Sequence, residues 1–212
     1  MVLSFILIGF LIVAFLMTVA KRITALIRAF RIQSFFLFLY TFYMGFSQRH
    51  MELLIVCALV FIFKVLVIPF LLMRIMRRIN VEEDLGLLIN PQLSIVIALI
   101  LTYSSYLFTH NAMSLANIAE SSAFAVSITV VCIGFFIMVS RMKAIGQIVG
   151  LLAMENGIFL AASAIAGGMP FFVEIALFFD VFVFVVIIEI FVYKVNRLFT
   201  HIDTSKMKSL KG

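Results

Sequence analysis

AIGQIVGLLAMENGIFLAASAIA, residues 144–166, decides the fold: in this whole stretch the one ionisable residue is Glu155. A helix of that length covers about 35 Å at about 1.5 Å per residue, against a hydrocarbon core about 30 Å thick. Blocks of the same kind recur along the chain, at about 2–20, 32–48, 52–73, 92–109, 121–140, 144–166 and 171–193. They do not alternate apolar and polar residues as barrel strands do; the run Val181 to Ile188 is apolar throughout. The expectation is an all-α polytopic membrane bundle of about seven transmembrane helices.

Composition supports the same class. The 212 residues are 65% hydrophobic and 12% charged, and mean hydropathy is +1.26. A soluble domain is about 45–50% apolar and about 25% charged, so one soluble core cannot absorb this excess. The net charge of +6 does not point to nucleic acid, because the basic residues sit at span ends. Lys21, Arg22, Arg28 and Arg31 form one group; Arg74, Arg77 and Arg78 a second; Arg141 and Lys143 a third; Lys194, Arg197, Lys206, Lys208 and Lys211 a fourth. These are fourteen of the 16 lysines and arginines, and all fall on one side of the expected topology, with Arg49 alone on the other. By the positive-inside rule the N-terminus is outside and the C-terminus cytoplasmic. The first apolar stretch lacks a basic leader and runs straight into Lys21 and Arg22, so it reads as a retained helix. Pro91 and Pro170 are expected to open the spans that follow them.

Three charges interrupt the apolar spans: Lys64, Glu155 and Asp180. Counted from the nearest basic cluster, they lie about 15, 18 and 21 Å deep, in one central layer. An ionised side chain there costs about 2.5–3.5 kcal/mol on insertion scales, so it is kept for pairing or for moving ions. Glu174 lies nearer the outer end of its span and Glu189 nearer the cytoplasmic boundary. Burial raises the pKa of an acid and lowers that of a lysine, which brings such groups into the range of proton exchange. Asn156 and Gln147 accompany Glu155 as supporting polar groups, with Arg141 and Lys143 at the start of the same span. Lys64 is expected to meet a carboxylate, in this chain or on a neighbour. Pro69 frees a carbonyl beside it, which makes either a packing kink or a polar pocket. Glu155 and Asp180 are expected to face a common space, since only a short Gly-Gly-Met-Pro turn joins their spans. A static reading stays open throughout: acids hydrogen-bonded between helices, with Lys64 as their counter-ion. Glu174 and Glu189 can each reach an interface, which is the simpler account of both.

The motifs of soluble enzymes are absent: no phosphate loop, nucleotide fingerprint or nucleophile elbow. His50, His110 and His201 read as loop or tail residues, and Cys57 and Cys132 as small core residues, so neither metal nor cofactor is expected.

Met154-Glu155-Asn156-Gly157, preceded by Ser140-Arg141 and Gln147-Ile148-Val149-Gly150, resembles hydrogenase-4 component E, a membrane subunit of formate hydrogenlyase-type complexes. Lys64-Val65-Leu66-Val67-Ile68-Pro69, Val173-Glu174-Ile175, Asp180 and the tail Leu210-Lys211-Gly212 match as well. The last three spans are also similar to the K-type small antiporter-like subunit of respiratory complex I, which has one buried carboxylate in each of its second and third helices. Asp180 lies at the matching distance from the basic end of its helix. The other carboxylate is displaced: Leu152 holds the family position and Glu155 follows one turn later. The resemblance implies a single membrane domain, with residues 1–115 as a four-helix extension and 116–212 as the part similar to the small subunit. It further implies a non-catalytic subunit of a group 4 hydrogenase or complex I-like assembly in a prokaryotic cytoplasmic membrane. Redox centres would belong to a peripheral hydrogenase or dehydrogenase arm. Antiporter-like large subunits and an H-like anchor protein would be the membrane partners, and Glu155, Asp180, Lys64, Glu174 and Glu189 the ion path. Two other readings remain: a scaffold that fastens the arm to the membrane, and a stand-alone secondary transporter, for which repeated halves with interrupted spans are lacking.

Overall fold

In a computed structural model, residues 2–48, 51–78, 85–113 and 121–166 are described, and nearly all of them are helical. Helix α1 is Val2–Val19 and α2 is Ile23–Gln48. A third span is built from α3, Met51–Val60, a π-helical segment, Phe61–Val67, and α4, Ile68–Arg78. Helices α5, Pro91–Met113, α6, Ser121–Ser140, and α7, Ala144–Ala166, follow. Among the described residues, six spans are long and apolar enough to cross a membrane. The seventh expected span, 171–193, and the C-terminal tail lie outside the described residues. Among the described residues no strand forms; Leu87 and Arg141 make an isolated bridge.

Three boundaries differ from expectation. The third span runs on to Arg78 rather than ending near residue 73. Helix α2 starts at Ile23 rather than near residue 32, because Arg28 and Arg31 are helical. Both are exposed, and long guanidinium side chains can reach past an apolar surface to water, so basic residues do not end a span. Helix α5 runs on to Met113, which places His110 in its last turn rather than in a loop. Pro91 does open α5, where its missing N–H costs no hydrogen bond.

The π segment has a local cause. The Ile68 N–H donates to the Phe63 carbonyl, five residues back. Pro69, next in the chain, has no N–H to give, and its ring crowds the carbonyl four residues earlier. A wider turn relieves that crowding. It also rotates the residues before it relative to a regular helix, and Lys64 lies within this segment.

Helices α6 and α7 pack through glycine. A β-carbon on Gly134 would fall onto the Met154 backbone, one on Gly150 would lie 2.6 Å from the Met138 nitrogen, and one on Gly157 2.8 Å from the Val131 nitrogen. Two helices in lipid gain little from the hydrophobic effect and hold together by such close approach. The stripe fixes one side of α7 against α6 and leaves another side to face α2.

One end of the bundle is stitched by backbone. Leu85 N–H donates to the Lys21 carbonyl at 2.9 Å, Leu88 to Ser140 at 3.2 Å, and Met142 to Gly86 at 3.2 Å. Gly86 adopts φ of 60°, a region that favours glycine. The strap before α5 thus ties the α1–α2 turn to the α6–α7 turn. Lys21, Arg22, Arg141 and Lys143 come together at this end, as the grouping of basic residues in the sequence requires.

Candidate functional site

Glu155 sits at the midpoint of α7, eleven residues from Ala144 and from Ala166, or about 16 Å from either end. Lys64 is at a similar depth in the third span. The Lys64 Nζ lies 3.9 Å from Glu155 Oε1, and the two side chains are 1% and 2% exposed. The carboxylate that Lys64 meets is therefore in its own chain. Phe159, one turn beyond Glu155, sets its ring centre 5.6 Å from the same ammonium, within the range of a cation–π contact. Two opposite charges this deep are held together by mutual attraction, which offsets a desolvation cost of several kcal/mol per ion.

Asn156 extends the polar layer to α2. Its Nδ2 donates to Ser34 Oγ at 3.0 Å and to Gln33 Oε1 at 3.5 Å. Gln33, Ser34 and Asn156 are fully buried. Lys64, Glu155, Asn156, Ser34 and Gln33 thus form one band across three spans. Sequence reasoning misses Gln33 and Ser34, because a span that begins at 32 places them at a membrane surface. The signal that could find them is the pair of adjacent polar residues midway between Ile23 and Phe46, a stretch that qualifies as a span.

The other residues named from sequence do different things. Gln147 donates to the Arg141 carbonyl at 3.0 Å, which puts its amide at the turn between α6 and α7, about 12 Å along the axis from Glu155. Arg141 is 1% exposed. Its Nη2 donates to the Met17 carbonyl at 3.0 Å and to the Thr18 carbonyl at 2.8 Å. These carbonyls end α1 and have no partner within their helix, so the guanidinium caps it and complements the negative end of its dipole. Burial pushes the Arg141 pKa down to about 10, which leaves it charged at neutral pH. The Lys143 carbonyl accepts from Gly146 and Gln147 and so starts α7. Asp180, Glu174 and Glu189 lie outside the described residues, as does the expected space shared by Glu155 and Asp180. No cluster of three or more metal-binding side chains occurs among the described residues.

The chain is 28% identical over 162 residues to hydrogenase-4 component E of Escherichia coli strain K12, covering 76% of this chain and 74% of that one. The protein of the same name from Shigella flexneri matches equally. An uncharacterised protein of Mycobacterium tuberculosis is 27% identical over 168 residues, covering 79% of this chain and 76% of the relative. No protein-family model matches the chain, and no solved structure does.

Proposed function

We propose that this chain, which is similar to hydrogenase-4 component E along about three quarters of its length, belongs with that family and translocates ions, protons in the first instance, as a membrane subunit of a hydrogenase complex. The observation that carries the reading is the Lys64–Glu155 pair, 3.9 Å apart, with both side chains almost fully enclosed near the middle of their spans. A pair of this kind has two forms of equal net charge. In one, both groups are ionised; in the other, the lysine proton has moved to the carboxylate and both are neutral. The ionised form gains attraction, whereas the neutral form avoids the desolvation of two ions. A neighbouring charge can shift the balance between them, and that is what a relay needs. The amide–hydroxyl band of Asn156, Ser34 and Gln33 continues the polar layer toward α2.

Within this reading the complex is of the group 4 hydrogenase or complex I-like type, in a prokaryotic cytoplasmic membrane. Its basic end faces the cytoplasm. Large antiporter-like subunits and an H-like anchor protein flank the chain, and a peripheral arm carries the redox chemistry. Asp180, Glu174 and Glu189 would extend the path from the last span. Glu155→Gln tests the proposal, because glutamine keeps size and hydrogen bonding but cannot take up a proton. In inverted membrane vesicles, the assembled variant should oxidise its electron donor and fail to acidify the lumen. Full acidification per electron transferred would leave the scaffold reading, with a static charge pair.

A further inference from the structure

A second feature lies on the outside of the bundle and is independent of the ion path. Between α2 and the π–α4 part of the third span runs an open groove of about 490 Å³, lined among others by Arg28, Arg31, Leu66, Pro69, Phe70 and Met73. Its floor is apolar and faces outward: Leu66 is 41% and Phe70 64% exposed. Arg28 and Arg31 stand one helical turn apart on α2, so they share a face. Among the described residues, no acidic residue lines the groove.

Depth decides what can fill it. Arg28 and Arg31 lie five and eight residues inside the start of α2 at Ile23, or about 7–12 Å along the axis; Arg28 reaches the headgroups directly, and Arg31, one turn deeper, reaches toward them by extending its long side chain along the groove. Leu66, at the other end of the floor, is two residues from Lys64 in the central layer. The groove therefore runs from headgroup level to near the bilayer centre, the reach of one acyl chain in one leaflet. A guanidinium fork matches phosphate oxygens and stays hydrated at this level. A helix from a partner subunit would instead bury both arginines and would need its own acids to satisfy them.

We propose that this groove binds one anionic phospholipid, with its phosphate on Arg28 and Arg31 and an acyl chain along Leu66, Phe70 and Met73. Phosphatidylglycerol should bind in preference to phosphatidylcholine, whose ammonium cancels its phosphate charge. A basic residue at the membrane surface strengthens anionic lipid binding roughly fivefold. The test uses the intact complex, delipidated in neutral detergent and titrated with each lipid, with bound lipid counted by native mass spectrometry. Arg28→Gln with Arg31→Gln should weaken phosphatidylglycerol binding about tenfold or more and leave phosphatidylcholine unchanged. Equal affinity for the two lipids in the parent complex, or an unchanged double variant, would overturn the assignment. A photo-reactive side chain in place of Phe70, with both arginines intact, gives a readout that survives poor assembly of the double variant. It should label lipid, and a cross-link to another subunit would show that a protein occupies the groove.

Discussion

Neutralising Lys64 alone should destabilise the protein more than neutralising Lys64 and Glu155 together. Their charged atoms are 3.9 Å apart, which gives about 4 kcal/mol of attraction at an effective dielectric constant of about 20. Lys64→Met keeps an unbranched side chain but strands a carboxylate in an apolar interior. Breaking a buried pair in this way costs about 3–5 kcal/mol, and Glu155 can limit the loss by taking a proton, so about 3 kcal/mol is expected. In the double variant Lys64→Met with Glu155→Gln neither group has to be desolvated as an ion. Such replacements are often neutral or better, so the double variant should fall within about 1 kcal/mol of the parent. Unfolding free energies of the parent, both single variants and the double variant, measured in mixed micelles at one pH, give the coupling directly. Additive losses, within about 0.5 kcal/mol, would show that the two residues do not act as a pair.

Gly150→Leu should destabilise the α6–α7 pair by at least about 1–3 kcal/mol, the usual cost of overpacking, because even a β-carbon would meet the Met138 backbone at 2.6 Å; the same unfolding assay reads it. Arg141→Gln removes the cation that caps the end of α1 through Met17 and Thr18. About 1.5–3 kcal/mol should be lost per charged hydrogen bond, and amide exchange in the last turn of α1 should accelerate while the Lys64–Glu155 coupling stays intact.

What is legible in the sequence follows from length and depth. A stretch such as residues 144–166 can hardly be anything but a span, and counting from basic clusters puts Lys64 and Glu155 in one layer. Neither step says which faces meet. The direct pairing depends on the π turn before Pro69, which rotates Lys64, and on the glycine stripe that turns the opposite side of α7 onto α6. Close approach at Gly134, Gly150 and Gly157 cannot be read from one helix alone, since each glycine acquires its meaning from the partner backbone. Arg28 and Arg31 mislead in α2, because charge looks like a membrane boundary even where the side chains are long enough to reach water from within the helix. The same error conceals Gln33 and Ser34. His110 is misplaced for a plainer reason: polar residues at the end of α5 resemble a loop until the helix is seen to continue.

The central claim is that the Glu155 carboxyl gains and loses a proton as the complex works. Infrared difference spectroscopy of the assembled complex, resting against turning over, observes this directly, since only a protonated carboxyl contributes its C=O stretch. A carboxyl band that appears on turnover in the parent and is missing in an assembled Glu155→Gln variant is the predicted result. The account is contradicted if the parent pumps ions and none of its carboxyl bands depends on Glu155.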